Sequence, residues 1–315
     1  VSNSIVIPSR QRRQDQRFFI GGSEVYGIQS INVNYNLGAT SLEHLGMTNT
    51  LEFPTQPQIA TVSINSLVLN ADVFINYTGN TSINGYIVNS SSSPGSENFS
   101  FTNAYLTSYS IKCGIGQIPE VSTEFLVLGN AGYFPDGYSV STDTDFAAIE
   151  AYNSTLNPNI ASYSTIDVNL DDFTTNRLQS FQVNINTPRN PIYSLGSRTP
   201  YLVDQGQPIE VNASFTIDVN DYLAYRLNSY PCSPVSKNLT LTFKNYQTNS
   251  TIISYSFNNM RLQGISRSID VNSNASLEFK YRTYIEPPTS AIPGFRADCT
   301  LVTADTTEFS ADYSY

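Results

Sequence analysis

The chain has no tryptophan, a single histidine, three cysteines and two methionines among 315 residues. Charge is scarce too: Asp, Glu, Lys and Arg make up 13% of the chain, about half the ~25% of an average globular protein. Each shortage removes a class of function. Cys113, Cys232 and Cys299 lie far apart without CxxC spacing, so the sequence writes neither a zinc site nor a disulfide framework. No apolar run approaches the ~18 residues of a membrane-spanning helix, and no apolar stretch of the signal type opens the chain. Asp171 and Asp172 are neighbours, and on a strand neighbouring side chains point to opposite faces, so they make no acid–base pair. Asp143 and Asp145 lack the glycine and closing glutamate of a calcium loop. There is no phosphate-cradling glycine loop and no G-x-S-x-G elbow. The expectation is a protein that is not an enzyme and uses no metal or cofactor.

Net charge is −10 and the sequence pI about 4.5. Binding nucleic acid by neutralising phosphates needs a clustered excess of Lys and Arg, which this chain lacks; an acidic surface instead suits one that DNA passes without sticking. The one basic cluster, Arg10, Arg12, Arg13 and Arg17, reads as a solvated or partner-docking arm near the N-terminus rather than a DNA site.

What fills the space is Asn, Ser and Thr, with 21 Tyr and 17 Phe. Asn, Ser and Gly favour turns, while Thr, Tyr, Phe, Val and Ile favour pleated, half-buried surfaces. The composition is that of an all-β protein with an uncharged polar exterior. The chain also repeats itself. "GIQSINVNYN" from Gly27 returns as "RLQSFQVNIN" from Arg177, an offset of 150. Both copies alternate in the same phase: Ile31, Val33 and Tyr35 against Ser30, Asn32, Asn34 and Asn36; Phe181, Val183 and Ile185 against Ser180, Gln182, Asn184 and Asn186. Each is a strand with one apolar and one uncharged polar face.

The match continues through a long loop after each strand, 37–58 and 187–208, where Leu45-Gly46 and Leu195-Gly196 correspond. "FTNAYL" from Phe101 returns as "FNNMRL" from Phe257, and "VSTEF" from Val121 as "ASLEF" from Ala275. Long loops within compact domains are usually functional, and two at equivalent places read as projecting arms. A helix is expected over "DVNDYLAYRLNSYP" before Pro231, with a degenerate equivalent at "NADVFINYTG", and a short one around Asp145 to Tyr152. The division expected is an N-terminal arm (1–20), a first repeat domain (21–130), a connector (131–176), a second repeat domain (177–286) and a C-terminal tail (287–315).

These strand, arm and closing motifs, with "PIYSLG" in the second arm and "IPSRQ" and "RFFIGG" near the start, resemble the tail tube proteins of long-tailed bacteriophages in two tandem copies, over about residues 5 to 285. The resemblance implies β-sandwich or roll domains with a helix on the flank, whose strands join an intersubunit β-barrel. It also implies rings of six such folds stacked into the virion's tail tube, the conduit for DNA ejection. With two folds per chain, six folds make a trimer with pseudo-sixfold symmetry and contacts between unlike surfaces, the alternative being a hexamer with one copy decorating the outside. Its partners would be further copies, tape-measure, tail terminator and baseplate or tip proteins, with DNA passing unbound and no membrane. On that reading Ser30, Asn32, Asn34, Asn36, Ser180, Gln182, Asn184, Asn186, Glu124, Glu278 and Asp218 line the lumen. Leu42, His44, Leu45, Ile192, Tyr193 and Leu195 make ring-stacking contacts; His44 is a contact residue, not a base, and Ser194 stands in its place in the second copy. The competing readings are a secreted or surface β-sandwich adhesin that binds carbohydrate, a polysaccharide-degrading β-scaffold enzyme, and another virion protein such as a neck or head decoration protein.

Overall fold

A computed structural model describes residues 16–21, 23–36, 39–42, 51–54, 59–69, 72–79, 81–89, 99–133, 161–170, 173–174, 178–197, 199–218, 236–268 and 275–285. These are nearly all strand. The first repeat comprises β1 (Gln16–Ile20), β2 (Ser23–Glu24), β3 (Ile28–Asn36), β4 (Ala39–Leu42), β5 (Leu51–Pro54), β6 (Ile59–Leu67), β7 (Ile83–Asn89), β8 (Phe99–Gly114) and β9 (Glu120–Val127), followed by the short β10 (Ala131–Tyr133). The second comprises β11 (Ala161–Leu170), β12 (Phe173–Thr174), β13 (Leu178–Asn186), β14 (Arg189–Ile192), β15 (Leu202–Gln205), β16 (Ile209–Asp218), β17 (Ser236–Asn245), β18 (Thr251–Ser268) and β19 (Ser276–Ile285).

The two repeats share one pairing scheme. In the first, β3 pairs β6, β6 pairs β9, β9 pairs β8, β8 pairs β7, β7 pairs β1 and β1 pairs β2. In the second, the same chain of antiparallel pairs runs β13, β16, β19, β18, β17, β11, β12. Even the irregularities recur: both opening ladders slip one residue at the same place, between Ile28 and Ser30 and between Leu178 and Ser180. Among the described residues β10, paired with β8, has no counterpart. Residues 16–20 fall in the stretch read as an arm, yet Phe18, Phe19 and Ile20 are buried and pair with β7; residues 161–170 fall in the connector and pair with β17.

Within each repeat one long strand serves two layers. The first part of β8 pairs with β7 and β10, its second part with β9. β18 divides the same way between β17 and β19. The change of layer falls at Asn103 (φ 52°) and Asn259 (φ 55°), in the left-handed region that asparagine tolerates better than most residues. A second asparagine pins each corner: the Asn103 N–H donates to Asn84 Oδ1 at 3.0 Å, and the Asn259 N–H to Asn238 Oδ1 at 3.3 Å. Sandwich corners are commonly made by such strands.

The outer layers cover the apolar face of the inner sheets, and one core runs through both repeats. Phe18 stacks on Phe101 at 6.2 Å between ring centroids, Phe181 meets Phe243 at 5.9 Å, and Phe243 meets Tyr255 edge-on at 5.6 Å. The expected degenerate helix is a 3-10 turn, Phe74–Tyr77, which lays Phe74 against Phe125 at 6.1 Å. The helices expected before Pro231 and around Asp145 to Tyr152 lie outside the described residues.

Candidate functional site

The repeats join edge to edge. The second part of β8, having paired with β9 on one side, pairs with β13 on the other, from Ser180 opposite Gly114 to Asn186 opposite Ser108. The joint fuses two four-stranded inner sheets into one of eight strands, in the order β3, β6, β9, β8, β13, β16, β19, β18. Among the described residues this sheet does not close within the chain: β3 has no ladder partner beyond β6, and the second part of β18 none beyond β19.

Alternation sorts the side chains of this sheet into two faces. Val62, Ile64, Leu106, Ile111, Val183, Ile185, Val211 and Phe279 face the core. The opposite face is a field of small polar groups. Across the strands one row reads Asn32, Ser63, Glu124, Ser108, Asn186, Glu210. The next reads Ser30, Asn65, Ser122, Ser110, Asn184, Asn212, Arg282. Neighbours in a row bond to each other: Asn65 Nδ2 donates to Ser30 Oγ at 3.0 Å, Ser122 Oγ to Asn65 Oδ1 at 2.7 Å, and Arg282 Nε to Asn212 Oδ1 at 3.3 Å.

The residues expected to line a lumen therefore share one continuous face. Ser30, Asn32, Asn34, Ser180, Gln182, Asn184, Asn186, Glu124, Glu278 and Asp218 all lie on it, outside the core. Asn36 continues it by its ladder position opposite Ile59, its side chain being outside the described residues. Charges on the face occur mostly as pairs: Lys112 with Glu120 at 3.3 Å, Lys280 with Glu278 at 3.3 Å, and Arg282 with Glu210 at 3.0 Å. Glu124 is exposed and has no such cation among the described residues. The result is a wettable surface of low net charge, without the clustered cations that would retain a phosphate backbone.

The arms are hairpins of matching register, β4 with β5 and β14 with β15. The second arm is rooted on the first repeat. Thr187 is fully buried, its N–H bonding to Thr107 O at 2.9 Å and its hydroxyl to Leu106 O at 2.5 Å. Arg189, also buried, donates Nε to Leu106 O at 3.0 Å and Nη2 to Gly79 O at 2.5 Å, with its guanidinium 5.7 Å from the Tyr105 ring centroid. Gln205 Nε2 reaches Thr78 O at 3.0 Å. Beyond this root, Ile192, Leu195, Tyr201 and Leu202 are exposed and Tyr193 is half-buried. In the first arm Ala39 stands where Arg189 does, Leu42 pairs with Leu51, and His44 and Leu45 lie outside the described residues.

One cluster at this joint was not foreseen. Asp72, just ahead of the 3-10 turn, is buried. Its Oδ1 accepts from the Phe74 N–H at 3.0 Å, and its Oδ2 accepts the hydroxyls of Tyr109 and of Tyr255, the latter at 2.7 Å. Tyr255 belongs to the second repeat, so the carboxyl ties the two together. Burial is the largest influence on it and raises its pKa, against the downward pull of the tyrosines and of the Phe74 and Ile75 backbone. Burial also holds both tyrosine hydroxyls well above their usual range, so they remain donors. The sequence signal was a hydroxyl at an inward strand position, which needs a buried partner. Cys113 is a buried free thiol pushed up to about 11 by burial; Cys232 and Cys299 lie outside the described residues. Among the described residues no group of three or more His, Cys, Asp or Glu is placed to hold a metal, and no helix is long and apolar enough to cross a membrane.

No protein-family profile matches this chain, and no curated protein is significantly similar to it.

Proposed function

We propose that this chain is a structural subunit of a tube wall of the long-tailed phage type, with the polar face of its eight-stranded sheet turned to a water-filled bore. The observation that carries this reading is the continuity of that face. Two repeats with the same pairing scheme are fused so that their polar rows run on from one to the other, while a single core lies behind both. A free-standing sandwich has no need to align the outer faces of its two halves. A wall does. Paired charges and hydrogen-bonded Asn, Ser and Gln keep the surface hydrated and give phosphates nothing to grip, so DNA would pass without specific binding.

Two four-stranded units per chain make three chains the natural ring, with pseudo-sixfold symmetry. The exposed apolar tip of the second arm, with Ile192, Leu195, Tyr201 and Leu202, suits contact with the next ring of a stack, and the first arm would do the same. Tape-measure, terminator and baseplate or tip proteins would meet the stack inside and at its ends, in the virion tail. Negative-stain microscopy of the purified chain tests the reading. Rings with a central hole, or stacks of them, are expected; a monodisperse solid particle at all concentrations would refute it.

A further inference from the structure

The joint inside the chain gives a template for what the two open edges bind. Its pairs include Ser108 with Asn186, Tyr109 with Ile185, and Ser110 with Asn184. Each partner has a twin at an open edge. On the β8 side the twins follow from the shared neighbour strand: Ser108 sits opposite Glu124 and Ser266 opposite Glu278, so Tyr109 corresponds to Arg267 and Ser110 to Ser268. On the β13 side the offset of 150 makes Asn34, Tyr35 and Asn36 the twins of Asn184, Ile185 and Asn186.

The polar members are identical at the joint and at the open edges: serine for serine, asparagine for asparagine. The core-facing members differ in burial. Ile185 is 0% exposed and its twin Tyr35 is 50% exposed. Ala104 and Leu106 are 0% exposed, whereas Leu262 and Ile265, which hold the same places opposite β19, are 36% and 39% exposed. Both open edges thus carry side chains more exposed than their twins at the internal joint, and among the described residues neither has a further ladder partner, an arrangement that favours strand addition.

We infer that copies of this chain associate head to tail by adding the β18 edge of one copy to the β3 edge of the next, in a register that sets Ser268 opposite Asn34, Arg267 opposite Tyr35 and Ser266 opposite Asn36. The contact is antiparallel and heterologous. It places the Arg267 guanidinium beside the Tyr35 ring, a pairing that replaces the buried Tyr109 and Ile185 of the internal joint. It also carries the polar rows across the boundary without a break. The inference requires self-association but not a tube, since the same contact could close a ring or extend an open filament.

Disulfide trapping tests it. Directly opposed residues of an antiparallel pair have Cα atoms about 4.5 or 5.5 Å apart, within the usual ~4.4–6.8 Å span of a disulfide. Full chains carrying Asn34→Cys and Ser268→Cys are prepared separately, mixed and oxidised, beside the unmodified chain, which reports any linkage through native cysteines. A covalent dimer is expected only in the mixture, and Asn32→Cys mixed with Ser268→Cys should give little. Dimers from either variant alone would show a two-fold contact and overturn the inference. Microscopy of the same samples separates it from the tube reading. Rings without the expected crosslink would refute the edge and register but not the tube; crosslinked open fibres would refute the tube but not the edge. As a second variant, Tyr35→Lys, which sets a like charge beside Arg267, should stay folded by circular dichroism and weaken association by about ten-fold or more. A chain that never self-associates, with or without that change, would make Arg267 a simple guard of a solvated edge and end the proposal.

Discussion

The β8–β13 joint and the open edges at β3 and β18 are built on nearly the same polar sequence, yet one is closed and the other is not. At the joint, Tyr109 and Ile185 lie fully buried, a carboxyl from the 3-10 turn is held by a tyrosine from each repeat, and the root of an arm is bolted down by Arg189. At the open edges Arg267 replaces Tyr109, Tyr35 replaces Ile185, and Ala39 replaces Arg189. The polar face is kept in both places while the bonding behind it changes. On the proposed reading, the difference is that between a permanent seam and one made between folded chains.

The sharpest way to break the comparison is one substitution at twin positions. Ile185→Asp puts a carboxylate where nothing is exposed and no partner waits, a cost of several kcal/mol, roughly the whole stability of a small domain. Cooperative unfolding in denaturant should be lost. Tyr35→Asp, at half-exposed Tyr35, should shift the midpoint by less than ~1 kcal/mol, and equal damage at both sites would remove the distinction.

Arg189 offers the next largest effect. Arg189→Ala leaves the Gly79 carbonyl short of a buried donor, at about 1–3 kcal/mol, and leaves Leu106 O with the Thr187 hydroxyl. The loss should appear as faster proteolysis and hydrogen exchange of the second arm's root, with the first arm, which has alanine there already, unchanged.

The Asp72 cluster sharpens the comparison through pH. Tyr255→Phe removes one hydrogen bond to the carboxyl and should cost about 1–3 kcal/mol in urea unfolding. Because the folded pKa of Asp72 is raised above its ordinary value of 3.8, its protonated form is the one the fold favours. That contribution is fully present below the ordinary value and is lost as pH rises through the raised one. Asp72→Asn should flatten this part of the stability profile, and an unchanged slope between variant and parent would count against the assignment.

Much of the frame was legible in the sequence. Alternation in "SINVNYN" and "SFQVNIN" gave the two faces, and the offset of 150 the duplication, because period-two patterns and repeats are local properties. The layer-switching asparagines were visible as the third letters of "FTNAYL" and "FNNMRL", though not as corners. The β8–β13 joint was not legible, since pairing between distant strands leaves no mark on either alone. In the sequence Asp72 is one acid in an apolar stretch and Arg189 one base in a polar loop; what makes them structural is burial, which a local pattern does not report. Residues 16–20 form a strand of five residues, too short for alternation to declare it, and 161–170 form a strand whose partner, β17, lies far away in the chain.

The smallest effect on stability, and the one closest to function, is at the polar face. Glu124→Lys with Glu278→Lys gives up the exposed Glu278–Lys280 pair and should leave unfolding within about 1 kcal/mol of the parent, but assembled particles should gain salt-sensitive binding of short duplex DNA by fluorescence anisotropy. No gain in binding would count against a face open to DNA.

An electron cryomicroscopy map of the assembled particle tests the central claim most directly. The account predicts a continuous wall around a bore, with Glu124 and Glu278 facing the opening and the core of both repeats behind them. A map with that polar face on the outside, or a particle with no opening along its axis, would contradict it.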